Sequence, residues 1–338
     1  MKAVVCKEFG PPESLVVEEV PEPKAGPGQV VIDVHACGLN FPDVLIIQDK
    51  YQFKPKLPFT PGGEVAGIVS EVGPDVDNVA VGDAVIAGAS HGGLAERVVA
   101  SATGVTPIPK GVDMAEASGF MTTYGTGYYG LVARGGLQPG ESLLVLGAAG
   151  GVGLAAVDIG RALGARVIAA ASSEEKLDLC RRFGAAETIN YAEEDLKERA
   201  KALTGGAGVD VIYDPVGGAY AEPALRAIAW EGRFLVIGFA AGDIPRIPLN
   251  LTLLKSCQIV GVFYGAYSAR DPVGHKALVG DLMKLWQDGP LHPYVSATYP
   301  FDQAAQGIRD LADRKALGKL VVLTPAGQAA AAASAGAK

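Results

Sequence analysis

The stretch that decides the fold is Ser142-Leu143-Leu144-Val145-Leu146, followed at once by Gly147-Ala148-Ala149-Gly150-Gly151-Val152-Gly153. An apolar run of strand length enters a turn of small residues, and residues with helical character follow from Val152 to Leu163. In the G-x-G-x-x-G frame the three positions are Ala148, Gly150 and Gly153, so the first departs from the strict pattern. The middle glycine matters most, because it lets the backbone come close to a pyrophosphate. A helix N-terminus beyond it offers unpaired N–H groups and a positive dipole end to phosphates. A lone turn of this kind also serves as tight strand-to-helix packing, so its context decides.

That context is a series of six apolar runs: Ser142–Leu146, Arg166–Ala171, Thr188–Asn190, Val209–Asp214, Arg233–Gly238 and Gln258–Phe263. Helical segments at Val152–Leu163, Glu174–Phe183, Asp195–Leu203 and Ala219–Trp230 separate most of them. Buried strands alternating with helices give a parallel sheet covered on both faces. Six such strands fit a doubly wound dinucleotide fold. An NAD site usually carries an acid about 20 residues beyond the turn, at the end of the second strand. Here Ser172 and Ser173 stand there, which leaves room for a 2′-phosphate, and Lys176 one helical turn later offers charge. Glu174 and Glu175 argue the other way, since either reaches a ribose hydroxyl. Lys176 also reads as an ordinary solvated helix lysine.

Around this core the chain changes character. The first 120 residues or so read as all-β, with runs at Ser14–Val20, Gln29–Ala36, Glu64–Val72, Asp83–Ala87 and Leu94–Ala100, and no strong amphipathic helix is expected before about Asp113. After Gly265 the spacing of Leu278, Leu282, Leu285 and Trp286 predicts a helix, and Lys319–Leu323 predicts a closing strand. The Ala-rich tail from Pro325 is expected to fray.

The 338 residues suffice for two domains, and 49% of them are hydrophobic. A net charge of −8 disfavours nucleic acid as a partner, since phosphate backbones call for clustered Lys and Arg. Cys6, Cys37, Cys180 and Cys257 form no C-x-x-C pair. No signal peptide or apolar run of membrane-spanning length is read, and the expectation is a cytoplasmic protein with no membrane partner.

With these stretches in view the sequence resembles the medium-chain dehydrogenase/reductase superfamily, and most of all its zinc-free quinone oxidoreductase branch, which includes the zeta-crystallins. The matching stretches are Val34-His35-Ala36-Cys37-Gly38-Leu39-Asn40, Pro61-Gly62-Gly63-Glu64-Val65-Ala66-Gly67, Gly92-Gly93-Leu94-Ala95-Glu96, Gly140-Glu141-Ser142, the Gly147–Gly153 turn and Gly318-Lys319. The resemblance implies an α/β protein: a GroES-like β-rich catalytic domain over 1–123 and 265–324, a six-stranded doubly wound Rossmann domain over 124–264, and a tail over 325–338. It implies NADPH as cofactor, a small-molecule quinone or enone as substrate, and a homodimer or homotetramer.

Carried over residue by residue, Asn40 and Thr126 match positions near the nicotinamide and its ribose. Ala148, Gly150, Gly151 and Val152 match the pyrophosphate turn. Ser172, Lys176 and Tyr191 match the 2′-phosphate contacts, with Arg314 as a further phosphate contact. Phe263 sits on the last sheet strand, where family backbone groups meet the carboxamide, and Phe239 and Lys319 are further cofactor-binding candidates. Asn40, Asp43 and Tyr51 are the candidate catalytic residues. A second cleft tyrosine of some relatives is Leu45 here, which puts tyrosine-dependent chemistry in doubt.

The zinc enzymes of the superfamily use Cys where this chain has Asn40 and His where it has Gly63. Catalytic zinc needs three protein ligands about an open position, so no metal is expected. Gly88-Ala89-Ser90-His91-Gly92 satisfies G-x-S-x-G, but it precedes a strand, not a helix, and reads as a glycine turn. Cys37 reads as a buried thiol. The expected reaction is hydride transfer to a quinone or another α,β-unsaturated carbonyl. Reduction of an enoyl-CoA or alkenal C=C bond is the alternative within enzymes. A crystallin-like protein that holds NADPH without turnover is the alternative outside them.

Overall fold

The computed structural model describes residues 1–336. The chain divides into two units: Met1–Thr122 together with the chain from Pro293 onward, and Thr123–His292.

The first unit opens with a two-stranded antiparallel pair, β1 (Lys2–Val5) and β2 (Val16–Glu19). A sheet follows, built on the long β3 (Gln29–Leu39) and β4 (Glu64–Val72), with β5 (Ala84–Gly88), β6 (Arg97–Ser101) and β7 (Val105–Pro107). β3 pairs β4 on one register and β6 on another, and β5 bridges β4 to β7. The strands come from β-branched runs, and their inward side chains (Val30, Ile32, Val34, Val65, Val69, Val85) make one apolar core.

Contrary to the all-β reading, a six-residue helix, α1 (Phe41–Ile46), follows β3 at once. Pro42 suits its first turn, and the Asp43 carboxylate accepts from the Asn40 N–H at 2.8 Å, tying the helix start to the residue that caps it. A second short helix, α2 (Met114–Ser118), is capped by Asp113, and α3 (Phe120–Tyr128) carries the chain into the second unit.

The second unit is a six-stranded parallel sheet of β8 (Ser142–Leu146), β9 (Arg166–Ala171), β10 (Glu187–Asn190), β11 (Val209–Asp214), β12 (Ile228–Val236) and β13 (Gln258–Gly261). Its order is β10-β9-β8-β11-β12-β13, the doubly wound arrangement whose strand order reverses between β8 and β11. Helices α4 (Gly151–Ala162), α5 (Glu174–Arg182), α6 (Leu196–Leu203) and α7 (Ala221–Arg226) make the crossovers, and α8 (Asn250–Lys255) precedes β13. The expected helix Ala219–Trp230 stops at Arg226, and Trp230 instead lies in β12, 66% exposed.

The domain boundary expected near residue 264 lies further on. After β13 come α9 (Tyr264–Arg270) and α10 (Pro272–Gln287), and both stay with the parallel-sheet unit. Leu278, Leu282, Met283 and Trp286 form the buried stripe of α10. The buried Asp158 of α4 fixes the end of this segment: it accepts from the His292 N–H at 2.6 Å, the Tyr124 hydroxyl at 2.9 Å and Arg161 at 2.7 Å.

The C-terminal segment completes the first unit. β14 (Val295–Pro300) pairs parallel with β15 (Lys319–Leu323), and β15 pairs antiparallel with β3; α11 (Ala304–Ala312) lies between them in sequence. The tail expected to fray is α12 (Pro325–Gly336), seated on β3. Its alanines are weakly apolar all round and mark no one face for burial, so the seat is made by its first turn. The Thr324 hydroxyl donates to the Val34 carbonyl and accepts from the Gly327 N–H at 3.2 Å, and a Cβ at Gly327 would overlap the His35 carbonyl.

Candidate functional site

In the parallel-sheet unit the candidate residues collect at the carboxyl ends of the strands, where open α/β sheets bind ligands. β8 ends at Leu146 and the chain turns through Gly147, at φ +57°. A Cβ on Gly153 would overlap the Gly147 carbonyl, so this glycine lets α4 rise directly against the turn. Gly150, the N-cap of α4, is different: the nearest atom to a Cβ there would be 3.5 Å away. The space in front of Gly150 is open, while Ala148 and Ala149 are buried. The N–H groups of Gly151, Val152 and Gly153 belong to the helix's first turn and have no acceptor within the helix. The turn therefore presents an uncrowded, donor-rich cradle that fits a pyrophosphate.

One strand over, β9 ends at Ala171 and Ser172 follows, exposed. Lys176 Nζ donates to Ser172 Oγ at 3.3 Å. Tyr191 follows β10, and its N–H donates to the Ala171 carbonyl at 3.1 Å, which brings it beside the end of β9. Its ring lies 4.4 Å from that of Tyr220. Ser172, Lys176 and Tyr191 are thus one group, with no carboxylate at the β9 terminus and a cation in its place. Of Glu174 and Glu175, the two acids that argue for NAD, Glu174 is engaged with Arg181 at 2.6 Å. On the other side of the switch point, Phe239 and Phe263 follow β12 and β13, 39% and 55% exposed. The Phe239 ring covers Gly217, just beyond β11. Thr126 is half-buried on α3.

The first unit brings a second set together. Asn40, Asp43, Glu64 and Lys319 are all buried. Asp43 accepts from the Asn40 N–H at 2.8 Å and the Gly62 N–H at 3.1 Å. Asn40 Nδ2 donates to Glu64 Oε2 at 3.1 Å, and the other Glu64 oxygen accepts from the Thr122 N–H at 2.8 Å. Lys319 Nζ donates to Asn40 Oδ1 at 2.6 Å and to Glu64 Oε2 at 3.1 Å. Lys319, placed by resemblance on the cofactor, thus has its ammonium enclosed by Asn40 and Glu64. Burial pushes the Asp43 carboxyl up to about 6, against the pull of its two backbone N–H donors and Lys319. Tyr51 is half-buried against the same core, and burial together with the Asp43 charge raises its pKa.

Arg314 lies on the exposed turn after α11, at φ +59°. Cys37 is fully buried, and burial raises its thiol well above the ordinary value. Ser90 and His91 pair with each other at 3.0 Å on an exposed bend after β5, not on a strand-to-helix elbow. Among the described residues no three His, Cys, Asp or Glu side chains are grouped to hold a metal, and no helix is long and apolar enough to cross a membrane.

Two features escaped the sequence reading. The partnership of Glu64 with Lys319 joins residues 255 positions apart. The aromatic group of Tyr129, Tyr264, Tyr267 and His275 joins π-helical residues to α9 and α10. Neither leaves a spacing pattern to read.

Comparison with known proteins agrees with this geometry. The alcohol dehydrogenase GroES-like domain model matches residues 26–110, and the zinc-binding dehydrogenase model matches residues 151–275. A quinone oxidoreductase-like protein 2 homolog of Nematostella vectensis is 41% identical over 96% of this chain and 89% of its own. The quinone oxidoreductase of Rattus norvegicus is 34% identical over 96% and 98%. The Thermus thermophilus quinone oxidoreductase, solved alone and with NADPH, is 35% identical over 96% of this chain and 100% of its own, with a TM-score of 0.82. The chain belongs to the medium-chain dehydrogenase/reductase superfamily, in its quinone oxidoreductase branch.

Proposed function

We propose that this protein is an NADPH-dependent reductase that passes hydride, without a metal, to a quinone or another α,β-unsaturated carbonyl. The observation that carries this reading is the group at the end of β9: Ser172, Lys176 and Tyr191 where an NAD site would hold an acid. The NADPH complex of the Thermus relative supports it.

In this reading the N–H groups of Gly151 and Val152, with Gly150 and Ala148 clearing the approach, hold the pyrophosphate. Ser172, Lys176 and Tyr191 hold the 2′-phosphate, and Arg314 is a further phosphate contact. Thr126, Phe239 and Phe263 serve the nicotinamide half. Asn40, Asp43 and Tyr51 are the catalytic candidates of this reading. Lys319 holds Asn40 in place. When bound, the reduced nicotinamide supplies the hydride, and the protein's part is orientation. A quinone accepts hydride readily, so no metal or nucleophile is required. An alkenal or enoyl-CoA differs only in the acceptor. The chain acts in the cytoplasm as a homodimer or homotetramer.

Two measurements test this. Fluorescence titration is expected to show NADPH binding tighter than NADH, with Lys176→Ala weakening NADPH about tenfold to a hundredfold, the worth of one charge-assisted hydrogen bond. Equal affinity for both cofactors sinks the assignment. A panel of quinones, enones and enoyl-CoAs is expected to show turnover that survives chelators. NADPH binding with no turnover on any acceptor leaves the crystallin-like reading, and loss of activity on chelation ends the metal-free one.

A further inference from the structure

The reduction proposed above consumes one proton per hydride, and Tyr51 is a poor source. Its pKa is raised by burial and by the charge of Asp43. A better-placed phenol lies in the parallel-sheet unit. Tyr264 is the first residue after Phe263, at the carboxyl end of the sheet and in the half that serves the nicotinamide in doubly wound folds. Its hydroxyl lies 2.8 Å from His275 Nε2. It also rests directly on the backbone of α3: a Cβ added to Gly125 would fall 2.6 Å from both the Tyr264 Cζ and its hydroxyl oxygen. Gly125 therefore makes the room this phenol occupies, one residue before Thr126. The ring also lies 6.2 Å from that of Tyr129, tilted by 46°, and Tyr129 is stacked on Tyr267 at 4.3 Å and 12°. The approach to Gly125, the contact with Tyr129 and the hydrogen bond to His275 hold the phenol in place.

We propose that Tyr264 is the proton donor of this reduction and that His275 positions it and returns its proton. The inference rests on the reductase reading. As the dihydronicotinamide is oxidised, the acceptor gains the hydride with its electron pair and becomes an enolate or hydroquinone anion. The Tyr264 O–H bond breaks as the acceptor gains that proton. As His275 Nδ1 takes a proton from water, its Nε2–H passes to the phenolate; this leaves hydroxide in solvent and the Nδ1–H tautomer, which exchanges with solvent back to the Nε2–H form before the next turnover. The net change is one hydride and one proton added to the acceptor. The scheme requires neutral His275 with its hydrogen on Nε2. Burial lowers the His275 pKa, which favours the neutral ring. Among the described residues, the titratable groups seen beside the pair include Tyr129 from the π-helical turn, Tyr267 from α9, and Asp271, which caps α10.

The test uses the whole chain and two hydride acceptors. An enone needs a proton to complete its reduction, and an N-methylacridinium cation needs none. Tyr264→Phe is expected to lower the ratio of enone rate to acridinium rate about a hundredfold, as loss of a general acid does, with NADPH affinity unchanged. His275→Ala is expected to lower the same ratio and to recover with added imidazole. Nitrogen NMR of the free protein is expected to show His275 protonated at Nε2, with a shift that moves in Tyr264→Phe. An unchanged ratio, an equal loss with both acceptors, or a proton on Nδ1 overturns the donor assignment alone. A wild-type chain that transfers hydride to neither acceptor overturns the reductase reading, and the donor with it.

Discussion

The Lys319 ammonium donates to the Glu64 carboxylate at 3.1 Å in a place where the two side chains are 6% and 1% exposed. A buried pair of this kind is costly to break, because removal of one partner leaves the other charged and out of water. Lys319→Met is therefore expected to destabilise the chain by about 3–5 kcal/mol. Adding Glu64→Gln should recover most of the loss. The amide oxygen still accepts from Thr122 N–H, and Asn40, freed of Lys319, can turn its oxygen toward the new amide nitrogen. Urea unfolding of the two variants measures both, and a single variant as stable as wild type refutes the coupling.

The glycines of the dinucleotide turn separate folding from binding. At Gly153 a methyl group overlaps the Gly147 carbonyl, whereas at Gly150 it meets nothing closer than 3.5 Å. Gly153→Ala is expected to cost about 1–3 kcal/mol through overpacking, read as a lower Tm. Gly150→Ala is expected to keep the Tm and lose NADPH affinity at least tenfold, because the methyl stands where a pyrophosphate would approach. Equal effects of the two on Tm would show that the turn discriminates nothing.

What was legible followed from local pattern. The apolar runs Ser142–Leu146, Arg166–Ala171 and Val209–Asp214 are strands over those same residues, because parallel strands covered on both faces stay apolar along their length. α1 was not legible, since six residues with Pro42 show no helical period. The boundary after β13 was misplaced because what holds α10 to the parallel sheet unit is tertiary: Trp286 is buried, and Asp158 reaches His292 across 134 residues. The same reason hid half the site. Asn40 and Lys176 could be named from resemblance, but the enclosure of Lys319 by Asn40 and Glu64, and the meeting of Tyr264 with His275, exist only once the chain is folded.

The parallel sheet ends at β13, which is hydrogen-bonded to β12 and carries Ile259 40% exposed. An edge strand with exposed apolar side chains invites pairing with another strand. If two chains join through this edge, Ile259→Lys should yield single chains by light scattering while leaving NADPH binding intact. A wild-type chain that is already single, or a variant that remains assembled, removes β13 from the interface.

Asp43 makes stability depend on pH in a direction opposite to that of most carboxylates. Its folded pKa is raised to about 6 from 3.8. Between these values the folded chain keeps a proton on Asp43 that the unfolded chain has released. The stability linked to this group is thus fully present below about pH 4 and is lost as pH climbs through about 6, a change of about 3 kcal/mol at 1.36 kcal/mol per pKa unit. Asp43→Asn imitates the protonated form and does not titrate. Relative to wild type it should gain stability as pH rises from about 4 to 7, measured by urea unfolding at each pH. Carbon NMR of the Asp43 carboxyl should titrate near 6. If wild type instead gains on the variant as pH rises, then the Asn40 and Gly62 N–H donors and the Lys319 charge outweigh burial, and Asp43 is a permanent carboxylate that anchors α1 and no more.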